Sequence, residues 1–381
     1  MKQNFILCIE IIDNPDWIGG TIYLANLVRC LFRLPEHQRP DIRILGSNKL
    51  AAQLRNNYHQ RSVKHHFRAC FRALLSKLRI KLASRSNHPL ILYPGFSDIP
   101  SSTKLAWIPD LQHCVLPELF SSSELLNRNS SILSLSDPSQ YILFSSESSR
   151  RDFHHYFPDH QAVTRVCHFH TLLDQSSFDC HNSSFLHDLL IPPKFLYLPN
   201  QFWSHKNHIT VLKALLYLKQ NHNLHIPLVL TGQPNDSRNL SHYSSLMEFI
   251  ENNHMSSQIY NLGLIPRDVQ LQVFRHSAAI IQPSLFEGWS TVVEDTRAIG
   301  RPIFLSDIPV HREQNLNSAY FFDPNSITSL ASIIIEKWPQ LSPGPDFNQE
   351  NLSYQSTLNL IDKSSTNFIS IVSEVYSSTL I

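Results

Sequence analysis

The second half of the chain alternates short apolar runs with helical patterns, and no other feature restricts the fold as strongly. Strands that alternate with helices pair in parallel, because each helix returns the chain across the face of the sheet. The sequence therefore predicts a doubly wound parallel sheet here. The apolar runs are 195–198, 227–231, 259–262, 278–282 and 302–305, and the helical patterns are 207–220, 241–252, 267–276 and 291–299.

The first half shows the same alternation with less regular spacing. An apolar run at 5–12 leads into a loop that ends in Gly19 and Gly20, and a helical pattern follows from Ile22. A strand, a glycine loop and a helix open many nucleotide-binding α/β domains, although such a turn often serves only geometry. Further apolar runs of strand length follow at 41–45, 90–93, 104–108 and 141–144.

Two such halves predict an α/β protein with two Rossmann-like doubly wound domains that face a central cleft. The proline pair Pro192–Pro193 is typical of a link between domains. We expect an N-terminal domain over 1–192 and a second domain over 193–354. A C-terminal helix over 355–381 is expected to cross back to the first domain.

Composition excludes several classes of protein. Hydrophobic residues make up 42% of the 381 residues and charged residues 17%, as in folded soluble proteins. No apolar run approaches the roughly 18 residues of a membrane span. The six cysteines show no CxxC spacing, so neither a disulfide framework nor a structural zinc site is expected. These features favour a reducing cytoplasm and no metal.

Positive charge is concentrated in one stretch. Between Ile42 and Ser97 there are eleven Lys or Arg residues and no Asp or Glu, whereas the rest of the chain has 21 basic and 31 acidic residues. Within this stretch, 61–85 has the pattern of a basic amphipathic helix. Such a helix either packs on its own sheet with a solvated basic face or contacts an anionic membrane surface or polyanionic acceptor. Nucleic acid is disfavoured, because no aromatic stacking module accompanies the charge.

The loop after the run 278–282 carries the chemistry of a binding site. Glu287 and Glu294 bracket a polar loop with Gly288, Ser290 and Thr291, and a helical pattern follows. The start of a helix binds anions through its exposed amides, and carboxylates accept hydrogen bonds from hydroxyls. A phosphate flanked by sugar hydroxyls describes a nucleotide sugar.

With these motifs in place, the chain resembles retaining GT-B glycosyltransferases of family 4, the glycosyl transferases group 1 type. The resemblance is strongest between Phe195 and Phe322, and weaker in the first half. It rests on Gly263–Pro266, Pro283–Gly288, Val293–Glu294, Ala298–Pro302, Ser306–Asp307 and Phe322–Pro324, together with Gly19–Gly20 and Trp107–His113 in the first half.

The resemblance implies that the domain over 1–192 binds the acceptor and the domain over 193–354 binds the nucleotide-sugar donor, and it implies roles for individual residues. Glu287 would contact the donor sugar, Glu294 would hold the ribose hydroxyls, and Lys206 would neutralise the diphosphate. Alternatively, Glu294 is only an acid favoured by the helix dipole, and Lys206 is only a solvated cation. The donor site would also include Gly19, Gly20, Gln201, Gly288, Trp289, Ser290 and Thr291.

Two positions depart from the family pattern. Gln201 stands where the family usually has an arginine, and a neutral amide cannot replace a guanidinium as a counter-charge. Six residues separate Glu287 from Glu294, where the family usually has seven. The shorter spacing makes Glu294 the firmer assignment of the two acids.

In the first half, Asp110 and His113 follow a predicted strand end. The resemblance places such a histidine beside the reacting sugar carbon, although a single histidine is more often structural. The resemblance implies retention without a protein nucleophile, so no pair of glycosidase-type carboxylates is assigned. It also implies no metal and no cofactor, because the nucleotide sugar, UDP- or GDP-linked, is the substrate.

The sequence thus predicts a cytoplasmic hexosyltransferase with a glycan or lipid-linked acceptor, in surface polysaccharide or glycolipid synthesis. Peripheral contact with the inner membrane face through 61–85 is an alternative location. The alternative activities are a nucleotide-sugar epimerase or hydrolase on the same fold, or a catalytically weak sugar-binding protein.

Overall fold

The computed structural model describes residues 5–12, 18–59, 89–95, 102–178, 189–234, 236 and 238–380. The predicted basic helix over 61–85 lies outside these residues. The chain divides into two compact units. Unit 1 comprises Met1–Leu111, Asn129–Leu172 and Leu358–Ile381, and unit 2 comprises Gln112–Arg128 and Leu173–Thr357.

Unit 1 is built on a six-stranded sheet in which every described pairing is parallel. Its strand order is β2-β1-β3-β4-β5-β6. The strands are β1 (Ile6–Glu10), β2 (Asp41–Leu45), β3 (Leu90–Tyr93), β4 (Ser102–Ile108), β5 (Tyr141–Phe144) and β6 (Val163–Val166). The described helices between them are α1 (Ile18–Leu31), α2 (Lys49–His59), α3 (Gln112–Val115), α4 (Ser122–Leu133) and α5 (Glu147–Tyr156). Of these, α3 and the first residues of α4 belong to unit 2.

Unit 2 is built on a second parallel sheet of six strands, in the order β12-β11-β10-β7-β8-β9. The strands are β7 (Leu196–Leu198), β8 (Leu228–Leu230), β9 (Ile259–Asn261), β10 (Ala279–Gln282), β11 (Ile303–Ser306) and β12 (Ala319–Phe322). The helices are α6 (His208–His222), α7 (His242–Asn252), α8 (Arg267–His276), α9 (Thr291–Ile299), α10 (Pro309–Gln314), α11 (Ile327–Lys337) and α12 (Phe347–Ser378).

Both faces of the second sheet are covered, as a doubly wound sheet requires. Side chains alternate along a strand, so Leu228 and Leu230 enter one core while Val229 enters the other. All three are buried. Because both faces are buried, the sequences of these strands are continuous apolar runs and do not alternate between apolar and polar residues.

The long final helix α12 contributes to both units. Near its start, Glu350 belongs to unit 2, where it pairs with the buried Arg275 at 2.9 Å. From Leu358 onward the chain belongs to unit 1, and Phe368, Val372 and Val375 are buried in that unit's core.

The predicted fold class is confirmed: two parallel six-stranded sheets with flanking helices. One local prediction was wrong. Gly19 and Gly20 do not end a loop but lie in the first turn of α1, which begins at Ile18. A Cβ at Gly19 would meet no atom of the described residues within 4 Å, so those residues leave room for a side chain at this position.

Candidate functional site

The strand order of unit 2 determines where a ligand can bind. β7 and β10 are neighbours, yet the chain continues from β7 towards β8 and from β10 towards β11, in opposite directions across the sheet. Loops that leave neighbouring strands in opposite directions open a crevice at the carboxyl edge. The loops after β7 and β10 meet there, since the Leu285 amide donates to the His205 carbonyl at 2.8 Å.

Gln282, at the end of β10, connects these two loops. Its side chain is fully buried, and its Oε1 atom accepts a hydrogen bond from Asn200 Nδ2 at 2.6 Å. Its Nε2 atom donates to Glu287 Oε1 at 2.8 Å and to Ser290 Oγ at 3.1 Å. One buried amide therefore fixes the strand end, the acidic loop and the start of α9 together. Sequence reasoning missed this residue, because a single glutamine at a strand end carries no signal of its own.

Lys206 and Glu287 form an ion pair in this crevice. Lys206 Nζ lies 2.6 Å from Glu287 Oε1, and the two side chains are 15% and 11% exposed. The same carboxylate oxygen accepts a hydrogen bond from Ser284 Oγ at 2.7 Å. Two predicted site residues that lie 81 positions apart in sequence are thus in direct contact. Their mutual neutralisation leaves little net charge at this point.

The start of α9 faces the same loop. Ser290 precedes the helix in an extended conformation, and its side chain makes no capping hydrogen bond to the helix. The first-turn amides of an α-helix have no partner within the helix and carry the positive end of its dipole. Such a terminus binds phosphate groups. Of the predicted contacts here, Ser290 and Trp289 are buried and Thr291 is half-buried.

Glu294 is more deeply engaged than the sequence suggested. It is fully buried and accepts hydrogen bonds from Arg297 Nε at 3.1 Å and from Gln314 Nε2 at 2.9 Å. The carboxylate thereby connects α9 with α10. Its predicted contact with ribose hydroxyls stays a prediction, and it requires those hydroxyls to share a carboxylate that already accepts donors from the protein.

The next residue, Asp295, occupies the position that seven intervening residues from Glu287 would reach. It is buried, and its Oδ1 atom lies 2.6 Å from Arg267 Nη2 of α8. The neighbouring acids Glu294 and Asp295 therefore contact different helices, α10 and α8. Sequence spacing alone does not show which of them a ligand approaches.

A second buried polar chain reaches Glu287 from β11. Ser284 Oγ donates to Glu287, and the Ser284 carbonyl accepts from Ser306 Oγ at 2.7 Å. His311 Nδ1 donates to the Ser306 carbonyl at 2.9 Å, which leaves Nε2 as an acceptor with no hydrogen-bond partner among the described residues. Burial lowers the pKa of His311 from 6.5 to about 4, so its ring is neutral at pH 7. The motif Ser306–Asp307 marked this region, but His311 was missed.

Gly232 allows the loops after β7 and β8 to pack closely. It has φ +143°, and a Cβ there would lie 2.2 Å from the Asn200 carbonyl oxygen. The Phe202 amide donates to the Gln233 carbonyl at 3.2 Å across this contact. Gln201 is half-buried in the same loop, between Asn200 and the residues that lead to Lys206.

The remaining predicted residues fall in different places. Asp110 is half-buried and belongs to unit 1, as do Gly19 and Gly20. His113 is buried and belongs to unit 2, with the rest of the segment Gln112–Arg128. The structure therefore places His113 in the same compact unit as Lys206, Glu287 and Glu294.

Comparison with known proteins agrees with this geometry. Residues 189–337 match the family described as Glycosyl transferases group 1. The matched range includes Lys206, Glu287 and the start of α9. No curated protein sequence matches the chain at a significant level.

Solved structures match nearly the whole chain. A glycosyltransferase from Rickettsia africae is similar with a TM-score of 0.64 at 15% identity, over 98% of this chain and 99% of that chain. A sucrose-phosphate synthase from Thermosynechococcus elongatus has a TM-score of 0.64 at 12% identity, over 98% and 100%. Anabaena HepE in complex with UDP and glucose has a TM-score of 0.63 at 15% identity, over 98% and 100%. At these identities the likeness is one of fold, and the fold is GT-B.

None of the helices described in the structure combines the length and apolarity of a membrane span. Within the described residues, no three His, Cys, Asp or Glu side chains are grouped so that they could hold a metal ion.

Proposed function

We propose that the protein is a retaining glycosyltransferase that moves a hexose from a nucleoside-diphosphate sugar to an acceptor hydroxyl. One observation carries the proposal. Lys206 and Glu287 are paired beside the start of α9, at the topological switch point of a sheet whose sequence matches glycosyl transferases group 1.

The diphosphate is the part of the donor that this site suits best. The helix start supplies amide donors, and Lys206 supplies a cation that a diphosphate can share with Glu287. Cleavage of the donor releases a nucleoside diphosphate, so negative charge grows on its oxygens in the transition state. A cation fixed at that point stabilises the transition state more than the ground state.

The acids suit the two sugars of the donor. Oε1 of Glu287 already accepts from Lys206, Gln282 and Ser284, so we assign its other oxygen to the hexose hydroxyls. Either Glu294 or Asp295 would hold the ribose hydroxyls. Both are buried, and each has an arginine partner, Arg297 for Glu294 and Arg267 for Asp295.

The similar structures support a nucleotide sugar and an acceptor. HepE was determined with UDP and glucose, and a trehalose-6-phosphate structure from E. coli with UDP-2-fluoro glucose. We infer a UDP- or GDP-linked hexose as substrate and neither a metal nor a resident cofactor. Asp110 and His113 would lie on the acceptor side, and a glycan or lipid-linked acceptor in surface polysaccharide or glycolipid synthesis is our proposal for its class.

Calorimetric titration with UDP, GDP and ADP tests the donor site. We expect one of them to bind with one site per chain, and Lys206→Met to weaken it by roughly 10- to 100-fold, the value of a lost charge-assisted contact. Lys213→Met serves as a matched control, because Lys213 lies on α6 away from the loop after β7. Absence of binding by all three nucleotides, or equal effects of both variants, would contradict the proposal.

A second activity is favoured by one observation, the neutral Gln201 where the family has a cation. A weak site could bind a sugar nucleotide without transferring the sugar. Gln201→Arg tests this: a large gain in turnover indicates that the natural chain is a weak enzyme. Incubation with donor alone tests for an epimerase or hydrolase, since neither needs an acceptor.

A further inference from the structure

Arg238 occupies an unusual position in unit 2. Its guanidinium lies over two aromatic rings, 5.1 Å from the centroid of Phe120 and 5.3 Å from that of Trp203. Its Nη1 atom donates to Gln112 Oε1 at 2.9 Å, and Gln112 is itself buried. The side chain of Arg238 is only 16% exposed, so these contacts are made largely out of water.

These contacts connect two segments that both carry predicted site residues. Gln112 and Phe120 flank His113, whose ring meets that of Phe120 edge-on at 6.3 Å. Trp203 lies three residues before Lys206, at the start of the short helical turn that ends there. A single guanidinium therefore touches both the segment with His113 and the loop with Lys206.

Asp236 fixes Arg238 to the second of these segments. Its Oδ1 atom lies 3.3 Å from Arg238 Nε, and its Oδ2 atom accepts the Ser204 amide at 3.2 Å. Asp236 is 3% exposed, so it holds the guanidinium at a defined place beside the loop that leads to Lys206. The arginine has its charge compensated by Asp236 and its plane fixed by two rings, which leaves Nη1 directed at Gln112.

We propose that Arg238 is a positioning residue that fixes the segment bearing His113 against the loop bearing Lys206. This deepens the proposed function and rests on it, because the two segments are assigned to the reacting sugar and to the diphosphate. Arg238 does not touch the donor in this account. Its effect is on the rate of transfer, through the placement of His113, and not on the affinity for the nucleotide.

Steady-state transfer measured beside nucleotide affinity tests this role. Arg238→Ala and Arg238→Lys are both expected to lower kcat at least tenfold and to change the Kd for the nucleoside diphosphate less than threefold. Lysine keeps the charge but cannot lie flat between two rings and donate to Gln112 and Asp236 together. Full activity of Arg238→Lys, or a loss of affinity with kcat unchanged, would show that Arg238 acts only as a counter-charge and overturn the proposal.

Arg128→Ala is the matched control. The Arg128 guanidinium also lies over Phe120, at 4.9 Å, but Arg128 is exposed. Its removal is expected to leave kcat within twofold. An equal loss of kcat in this variant would mean that packing on Phe120, and not the contact with Gln112, matters.

Hydrogen exchange tests the positioning without any substrate. The Leu116 amide donates to the Gln112 carbonyl at 2.8 Å, so its exchange reports on the short helix with His113. We expect exchange to rise at least tenfold in Arg238→Ala and in Gln112→Ala, and no further in the double variant. If the effects of the two single variants multiply in the double variant, or if exchange of the Leu116 amide is unchanged in the single variants, the proposal is overturned even when sugar transfer is confirmed. If no nucleotide binds but exchange behaves as expected, the proposed function fails while the contact stands.

Discussion

The charge balance of the Lys206–Glu287 pair gives the sharpest prediction. The two opposite charges cancel within the pair, whose Nζ and Oε1 atoms are 2.6 Å apart. Glu287→Gln leaves a net charge of about +1 at the site, and Lys206→Met leaves about −1. The double variant is again neutral. Glutamine can still accept from Gln282 and Ser284 through its amide oxygen, so Glu287→Gln preserves the local shape.

The magnitude follows from Coulomb's law. A unit charge about 5 Å from a phosphate, at an effective dielectric constant of about 20 to 40, contributes about 1.5–3 kcal/mol. That is roughly 10- to 100-fold in Kd for each unit of charge. We therefore expect the nucleoside diphosphate to bind more tightly to Glu287→Gln than to the wild type, and most weakly to Lys206→Met. The double variant should bind between Lys206→Met and the wild type.

Calorimetry on the four proteins at low and high salt measures these affinities. Turnover should fall in Glu287→Gln although binding improves, because the carboxylate is assigned to the hexose. Thermal unfolding of each variant checks that the fold is intact. If Glu287→Gln binds the nucleotide more weakly than the wild type, or if the double variant binds it as weakly as Lys206→Met does, the pair does not act on the diphosphate as argued.

Three further predictions concern stability and shape. Breaking the buried Arg275–Glu350 pair, 1% and 3% exposed, by Glu350→Gln should lower the free energy of unfolding by about 3–5 kcal/mol in denaturant titration without altering nucleotide affinity. Gly232→Ala should weaken both folding and nucleotide binding, because its Cβ would lie 2.2 Å from a carbonyl oxygen; unchanged unfolding and calorimetry would contradict this. Burial lowers the pKa of His208 to about 3 and that of His311 to about 4 from 6.5, so the stability they contribute is complete above pH 6.5 and is lost as the pH falls towards those values. Each costs about 1.4 kcal/mol per pH unit in that window, and unfolding at pH 7 and pH 5 should show that His208→Phe removes about that much of the dependence for each pH unit below 6.5.

The central strands were predictable because they are buried on both faces. The apolar runs at 90–93 and 141–144 match β3 and β5, which are buried at every residue. The two strands not predicted, β6 and β12, lie at the edges of their sheets, as do β2 and β9, which match the apolar runs 41–45 and 259–262. Edge strands are covered less, so Val163–Val166 and Ala319–Phe322 each have only one buried residue, and their sequences carry a weak apolar signal.

The charged residues of the candidate site were predictable and their supports were not. Lys206 and Glu287 lie in long motifs. In contrast, Gln282 is a single polar residue at the end of β10, and His311 is a single polar residue within the short helix α10. Their importance comes from partners far along the chain, such as Asn200 for Gln282. Only the folded sheet brings those partners together, so no local pattern in the sequence marks them.

The stereochemistry of transfer tests the central claim most directly. The protein is incubated with an α-linked UDP- or GDP-hexose and a panel of sugar and lipid-linked acceptors, and the anomeric proton of the new glycoside is assigned by NMR. The account predicts an α-linked product, with transfer that Lys206→Met abolishes. A β-linked product, or release of sugar that does not depend on Lys206, would contradict it.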